Sequence, residues 1–232
     1  MIYQWLLFDA DGTLFDYDAA EHQALRRALQ LFDLHYDLDV LEAYREINEQ
    51  MWKEFELGNV TAEDIKSERF ARLFAALDRS PDPDPQVFGE RYLTCLGDCV
   101  DLMPDAEQVL SELEPLAHLA LITNGLTAVQ RSRLAKSGLG SYFEAVVISD
   151  EEGVAKPDPA IFDIAMERMG HPPKDAVLMI GDSLTSDMRG ADLYDIDACW
   201  YNPDGRPRVP DVNVRYEIRS LQELLQIVSQ SP

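Results

Sequence analysis

The chain has few lysines, few cysteines and no long apolar run. Only five of its twenty basic residues are lysine, and forty-three acidic residues bring the formal net charge to −23 at pH 7. Such an acidic balance argues against a general nucleic-acid-binding surface and against binding to anionic membranes. It does not exclude a small anionic substrate, because a bound metal ion or a local cation can outweigh the field of the whole molecule.

The sequence also lacks membrane-spanning and disulfide-forming segments. No stretch approaches the roughly 18 apolar residues of a membrane span. Residues 1–8 carry no basic group, and the acidic Asp9 follows too early in the chain for a secretory signal peptide. Cys95, Cys99 and Cys199 form an odd set without a histidine cluster, which fits neither a disulfide framework nor a zinc site. We therefore expect a cytoplasmic protein without a membrane partner.

Short apolar runs alternate with helical patterns along most of the 232 residues. The runs of strand length are Tyr3–Phe8, Leu116–Ile122, Ala145–Ile148, Val177–Ile180 and Ala198–Tyr201, and the helical candidates are 127–138, 157–169, 185–194 and 220–229. Pro157 and Pro159 suit the first turn of the second candidate, where a missing N–H is harmless. The alternation predicts an α/β fold: a doubly wound, Rossmann-like parallel sheet covered by helices on both faces.

Residues 16–98 do not show this alternation of strands and helices. They contain no convincing strand, and their apolar residues recur at helical spacing, with an interruption at the Pro/Asp run Ser80–Pro85 that we interpret as a loop. The sequence therefore predicts an all-helical cap domain over 16–98, inserted into a catalytic core made of 1–15 and 99–232.

Polar residues follow the predicted strands at the points where the strands end. They are Asp9-Ala10-Asp11-Gly12-Thr13, Thr123-Asn124-Gly125, Lys156-Pro157 and Gly181-Asp182, with Asp187 five residues beyond. Ligands of an open parallel sheet gather at the carboxyl ends of its strands, so we expect these groups to share one edge.

The chemistry of these groups is consistent with a phosphoryl site. Carboxylates from two strands, Asp9 and Asp182, are hard oxygen ligands suited to Mg²⁺. Lys156, Thr123 and the N–H groups of the glycine-containing turns are donors for a phosphoryl group. A carboxylate beside a metal ion can act as a nucleophile, and a second carboxylate two residues away, Asp11, can transfer protons.

Taken singly, these residues have ordinary explanations. Asp182 would cap a helix beginning near Thr185, Asp187 would be a solvated helix charge, and Lys156 a surface lysine. A calcium loop is excluded, because the glycine follows Asp9 at the wrong position and the distal glutamate is missing. Their coincidence at consecutive strand ends favours a functional site.

The four segments resemble, in order and spacing, the four motifs of the haloacid dehalogenase superfamily, and the helical insertion resembles the first class of cap in that superfamily. The resemblance implies that Asp9 is the nucleophile and a Mg²⁺ ligand, and that Asp11 is the general acid/base and binds the metal through its backbone carbonyl. It implies phosphoryl contacts from Thr123 and Lys156. It also implies that Asn124 lines the site, that Asp182 is a metal ligand, and that Asp187 orders the groups around the metal.

Members of this superfamily catalyse several reactions, and the residues present in this sequence distinguish between those reactions. Dehalogenases of the superfamily generally lack an acid at the position of Asp11 and need no metal. Phosphonate hydrolysis needs a cap lysine, and the cap offers only Lys53 and Lys66 without the expected surrounding pattern. The cap argues only weakly against a phosphosugar mutase. A phosphatase acting on a small phosphorylated metabolite is therefore our interpretation.

The sequence of the predicted cap narrows the range of candidate substrates, because it resembles that of one subgroup of the superfamily. The cap resembles a segment of bacterial pyrimidine 5′-nucleotidases at Met51–Gly58, Thr61 and Arg69-Phe70. Gly12 departs from that subgroup, whose close members often carry glutamate there. Trp52 lies off the helical stripe of apolar residues and is the candidate for stacking on a base. The alternatives are a phosphatase for sugar phosphates or other small metabolites, and a non-catalytic binding or regulatory protein. The oligomeric state stays open.

Overall fold

The computed structural model describes residues 3–77, 83–208 and 211–229. The described chain forms two compact units. One comprises Met1–Tyr17, Asp101–Thr127 and Leu134–Pro232, and the other comprises Asp18–Val100 and Ala128–Arg133. We call them the α/β unit and the helical unit. Among the described residues, no helix combines the length and the apolar character that a membrane crossing requires.

The α/β unit contains a six-stranded sheet in which every neighbouring pair is parallel. Its strands are β1 (Trp5–Phe8), β2 (His118–Thr123), β3 (Ala145–Ile148), β4 (Val177–Gly181), β5 (Asp197–Tyr201) and β6 (Tyr216–Ile218), in the spatial order β3-β2-β1-β4-β5-β6. The chain thus winds outward from β1 in both directions, as a doubly wound sheet does. The predicted fold class is confirmed.

Ten α-helices lie within the described residues. They are α1 (Tyr17–Leu31), α2 (Leu38–Glu56), α3 (Ala62–Ala76), α4 (Pro85–Gly97), α5 (Ala106–Leu113), α6 (Thr127–Ser137), α7 (Ser149–Glu152), α8 (Pro159–Arg168), α9 (Arg189–Tyr194) and α10 (Glu223–Ser229). Short 3₁₀ turns cover Leu139–Tyr142 and Lys174–Ala176, and a π-helical turn covers Leu184–Met188.

Alternate residues of each central strand enter opposite cores, because side chains of a strand point alternately to the two faces of a sheet. Leu6 and Phe8 of β1 pack with apolar residues of α5 and α10. Leu7 packs on the other face with residues of α8 and α9. Burial on both faces explains why the central strands are continuously apolar and why the sequence pattern identifies them.

The helical unit is held together largely by aromatic side chains. Phe70 of α3 contacts Tyr44 of α2 and Tyr92 of α4, with ring centroids 5.7 and 5.0 Å away, and the two tyrosine rings also contact each other at 5.4 Å. All three rings are fully buried. Next to them, the Asn48 carboxamide donates to Glu21 (3.1 Å) and accepts from Arg69 (2.9 Å), so this core also contains a polar chain. No strand occurs among the described residues of this unit, as the helical spacing predicts.

Several sequence predictions need correction at the element level. The helix expected over 157–169 begins at Pro159, because Asp158 caps it by accepting from the Ala160 N–H at 2.9 Å; Pro157 precedes it. The segment 185–194 divides into the π-helical turn and α9, and the last helix begins at Glu223 instead of residue 220. Pro85 opens α4 instead of ending a loop, while Ser80–Asp82 lie outside the described residues. Helices α5 and α7 and strand β6 were not predicted.

Candidate active site

The strand register brings the predicted site residues to one edge of the sheet. Phe8, the last residue of β1, is level with Leu121 of β2 and with Ile180 of β4. Asp9 therefore emerges beside the carboxyl ends of both neighbouring strands. Its backbone N–H continues the pairing by donating to the Ile180 carbonyl at 2.8 Å. The side chain is buried, so the carboxylate is held between the central strand ends.

Lys156 joins two of the predicted carboxylates. Its ammonium lies 2.6 Å from Oδ1 of Asp9 and 2.6 Å from Oδ1 of Asp187, and it donates to the Ile122 carbonyl at 2.9 Å. The lysine is almost fully buried, so these charge-assisted contacts are made in a poorly hydrated environment, where they are strong. Burial alone would lower the pKa of Lys156, but the carboxylates of Asp187 and Asp9 raise it above its ordinary value. The ammonium is therefore a fixed positive charge.

Asn124 positions Lys156 through its backbone. Its Oδ1 accepts from the Lys156 N–H at 2.8 Å, and its Nδ2 donates to the Lys156 carbonyl at 2.8 Å. Two hydrogen bonds from one carboxamide fix the lysine backbone, so the side chain reaches the site from a rigid origin. The structure thus gives Asn124 a contact more specific than the lining position that the resemblance implies.

Asp187 reaches the site from the π-helical turn after β4. Its Oδ2 accepts from the Ser183 N–H at 3.0 Å, while Oδ1 contacts Lys156. A π turn widens the helical path locally, and such turns occur frequently at functional sites. The carboxylate lies directly against Gly181, where an added Cβ would collide with Asp187. Both oxygens of Asp187 thus accept hydrogen bonds from the protein.

Asp182 follows β4 and lies against the loop after β1. A Cβ placed on Gly12 would be 2.8 Å from Cγ of Asp182, and Gly12 has φ +79, which side chains rarely adopt. On its other side, Asp182 Oδ2 accepts from Arg206 at 3.3 Å. Burial and the Asp187 carboxylate raise the pKa of Asp182 to about 6, and Arg206 opposes that rise.

The remaining predicted residues lie in the loop after β1, at the end of β2 and in the helical unit. Thr13 donates to Oδ2 of Asp9 at 3.4 Å. The hydroxyl of Thr123, the last residue of β2, accepts from the Gly125 N–H at 3.3 Å. Asp11 is partly exposed in the tight loop where the Gly12 N–H donates to the Phe15 carbonyl at 2.9 Å. Trp52 belongs to the helical unit, where its ring meets Phe55 edge to face at 5.5 Å.

Three carboxylates of the site could hold a metal ion. Asp9, Asp182 and Asp187 each offer an oxygen, and the three oxygens lie within 4.8 Å of one another. Burial raises the pKa of Asp9, the Asp187 carboxylate raises it further, and Lys156 opposes the rise. Crowded carboxylates whose negative charge is only partly balanced are a donor set for a hard divalent cation such as Mg²⁺.

A model of the haloacid dehalogenase-like hydrolase family matches residues 3–192. The chain belongs to this family. The prediction of an enzyme, a hydrolase of this superfamily, is therefore confirmed, and the predicted resemblance is confirmed with it. The family match covers every predicted site residue, from Asp9 through Trp52 to Asp187.

Similar proteins are known over nearly the full length of this hydrolase. It is 34% identical to the HAD-hydrolase YfnB of Bacillus subtilis (strain 168), over 98% of this chain and 96% of YfnB. It is 31% identical to the pyrimidine 5′-nucleotidase YjjG of Escherichia coli (strain K12), over 98% of this chain and 99% of that protein. It is 35% identical to the pyrimidine 5′-nucleotidase PynA of Streptococcus pneumoniae (strain ATCC BAA-255 / R6), over 97% of this chain and 94% of PynA.

A solved structure of one relative supports the same fold. The crystal structure of YfnB bound to magnesium superimposes with a TM-score of 0.92 at 34% identity, covering 99% of this hydrolase and 100% of the YfnB chain. The magnesium belongs to YfnB. For this hydrolase, the donor set of Asp9, Asp182 and Asp187 is the observation that bears on metal binding.

Proposed function

We propose that this hydrolase is a Mg²⁺-dependent phosphatase that cleaves a small phosphomonoester through an aspartyl-phosphate on Asp9. The observation that carries the proposal is the Asp9 carboxylate, buried at the end of β1, 2.6 Å from the fixed charge of Lys156 and clustered with Asp182 and Asp187. These contacts bring together a carboxylate, an ammonium group and further carboxylate oxygens, which are the groups that such a reaction needs.

The residues would divide the reaction between them. An oxygen of Asp9 attacks the phosphorus in line as the bond to the leaving oxygen breaks, and Asp11 gives that oxygen a proton. Asp11 then takes a proton from the water that attacks the phosphorus of the aspartyl-phosphate, which releases phosphate and regenerates Asp9. Lys156 and the Thr123 hydroxyl hold the phosphoryl oxygens. Asp9, the Asp11 carbonyl and Asp182 would bind Mg²⁺, which supplies positive charge to the phosphoryl oxygens when bound.

The substrate class that we propose is a pyrimidine nucleoside 5′-monophosphate. Two full-length relatives carry that activity in their names, and the sequence of the helical unit around Met51–Gly58 resembles that subgroup. Trp52 is partly exposed and not part of the aromatic core, so it is the side chain that we propose to stack on the base.

Phosphate release from a panel of substrates tests this proposal. dUMP, UMP, dTMP, purine nucleotides and sugar phosphates are compared with Mg²⁺ and with EDTA. We expect Mg²⁺-dependent turnover that prefers the pyrimidine nucleotides and is abolished by EDTA. Turnover of sugar phosphates instead would keep the mechanism and overturn the substrate class. No Mg²⁺-dependent turnover across the panel would favour a binding or regulatory protein on the same fold.

A further inference from the structure

The site contains a second cation, which no motif of the sequence indicates. Arg206 lies 24 positions after Asp182, in the loop between β5 and β6, and its Nη2 contacts Asp182 twice. It donates to the backbone carbonyl of Asp182 at 2.8 Å and to Oδ2 at 3.3 Å. One guanidinium nitrogen therefore binds both the main chain and the side chain of the same residue, which restricts the orientation of the carboxylate.

The loop holds Arg206 in the same way that Asn124 holds Lys156. Asn202 directly follows β5 and is fully buried; its Oδ1 accepts from the Arg206 N–H at 2.8 Å, and its Nδ2 donates to the Arg206 carbonyl at 3.0 Å. Lys156 and Arg206 thus each have their backbone clamped by an asparagine that directly follows a strand. The clamp gives Arg206 a defined starting point despite a side chain that is 48% exposed.

Trp200 of β5 also contacts Asp182. Its indole N–H donates to the same Asp182 carbonyl at 2.9 Å, and the Arg206 guanidinium lies 6.0 Å from the centre of the Trp200 ring. With Gly12 packed against the carboxylate from the opposite loop, Asp182 is bounded on three sides by atoms of the α/β unit. Groups that hold a ligating carboxylate in this way commonly set the affinity of a metal site.

We propose that Arg206 is a positioning residue for Asp182: clamped by Asn202, it holds the carboxylate by Oδ2 in the orientation in which Asp182 binds Mg²⁺. This inference rests on the proposed function, which makes Asp182 a metal ligand. Arg206 does not touch the reacting atoms in this role. It acts through the geometry of Asp182, and Lys156 keeps the contact with the nucleophile.

Two effects of removing Arg206 oppose each other. Loss of a nearby positive charge would strengthen binding of a cation, whereas loss of the two hydrogen bonds would leave Asp182 free to rotate and weaken it. The guanidinium is half exposed, so water screens its repulsion of the metal. Partners that orient a metal ligand typically contribute about 10- to 100-fold in affinity. Loss of orientation therefore outweighs loss of repulsion.

The test is Mg²⁺ binding to the full chain by isothermal titration calorimetry, with the metal alone as the probe. Arg206→Ala is compared with Arg208→Ala, a matched control in the same loop. Arg208 has a similar exposure (51%) and pairs with Glu217 at 3.0 Å. Both variants remove one positive charge from the same segment. We expect Arg206→Ala to raise the dissociation constant for Mg²⁺ about tenfold, Arg208→Ala to leave it unchanged, and Arg206→Lys to give an intermediate value.

Turnover separates this role from direct contact with substrate. We expect Arg206→Ala to need about ten times more Mg²⁺ than Arg208→Ala for half-maximal turnover, because its metal site is weakened, while its KM for substrate at saturating Mg²⁺ stays close to that of Arg208→Ala. A normal Mg²⁺ affinity with a raised KM would overturn positioning in favour of substrate binding, and tighter Mg²⁺ binding would show that repulsion dominates. A wild-type protein that binds no Mg²⁺ would instead overturn the metal site of the proposed function. Wild-type binding that Arg206→Ala leaves unchanged would overturn the Arg206 inference alone.

Discussion

At the scale of single residues, Gly12 makes a close backbone approach to a proposed metal ligand. Its φ of +79 and the 2.8 Å that would separate an added Cβ from Cγ of Asp182 both require glycine. In this chain the loop after β1 therefore packs directly on the Asp182 carboxylate.

Gly12→Ala tests that contact, with Gly138→Ala as its control. Gly138 ends α6 with the same φ of +79, but nothing lies within 4 Å of its Cβ position. We expect each variant to lose about 1 kcal/mol of unfolding free energy from backbone strain, measured by urea denaturation. Only Gly12→Ala should also weaken Mg²⁺ binding, because only there does the methyl group displace Asp182. Equal Mg²⁺ affinity in the two variants would contradict the contact.

The pKa of Asp182, raised to about 6, predicts how Mg²⁺ affinity depends on pH. Below that value the carboxyl holds a proton that the metal must displace, so affinity should fall by about tenfold per pH unit. In the metal-free protein, the folded state binds this proton more tightly than the unfolded chain, whose pKa is near 3.8. The contribution of Asp182 to stability is therefore lost as pH rises from about 4 to about 6. Calorimetric titrations with Mg²⁺ between about pH 5 and pH 8 measure the predicted pH dependence of the Mg²⁺ affinity. A Mg²⁺ affinity that does not change over that range would refute the prediction.

At the scale of secondary-structure elements, burial decides what the sequence can predict. Strands β1 to β5 are covered on both faces, so their apolar runs stand out. Strand β6 has three residues at the edge of the sheet, too few to form a run. Helix α5 follows Asp105, whose φ is +63 and whose side chain makes no capping hydrogen bond. The aspartate that usually signals a helix start is present there, but the capping hydrogen bond is missing and the helix has only eight residues, so its pattern is short.

The same distinction applies to the site. Asp9, Thr123 and Asp182 could be located from the sequence because each ends or directly follows a buried strand. Arg206 could not, because it reaches Asp182 from an irregular loop after the outer strand β5, and its position depends on hydrogen bonds from Asn202. The roles assigned to the predicted site residues, and the exact domain boundaries, stay predictions.

Helix capping offers a stability test that leaves the proposed chemistry untouched. Thr61 begins α3 with a reciprocal pair: its hydroxyl accepts from the Asp64 N–H at 3.2 Å, and its own N–H donates to the Asp64 carboxylate at 2.7 Å. Thr61→Ala should lower the free energy of unfolding by about 1 kcal/mol in a urea titration, because it leaves N–H groups of the first turn unsatisfied. Thr61→Ser, which keeps the hydroxyl, should restore most of it. Equal stability of the two variants would show that the cap contributes nothing.

At the scale of the whole molecule, the charge of −23 opposes an anionic substrate. Salt screens long-range repulsion, so moderate NaCl should leave kcat/KM unchanged or raise it when Mg²⁺ is saturating. An enzyme that attracts its substrate through a positive surface shows the opposite trend. A steep fall in kcat/KM for dUMP between low and moderate salt would contradict this prediction and would indicate a local positive field strong enough to steer the substrate.

The central claim is that Asp9 attacks phosphorus, and the most direct test is the kcat/KM of Asp9→Asn for Mg²⁺-dependent phosphate release. The control is Asp175→Asn, an exposed aspartate just before β4 at the opposite edge of the sheet. An amide that replaces the nucleophile cannot form the aspartyl-phosphate. The account predicts a loss of at least about a thousandfold for Asp9→Asn and no change for Asp175→Asn. A folded Asp9→Asn protein that retains wild-type turnover would contradict it.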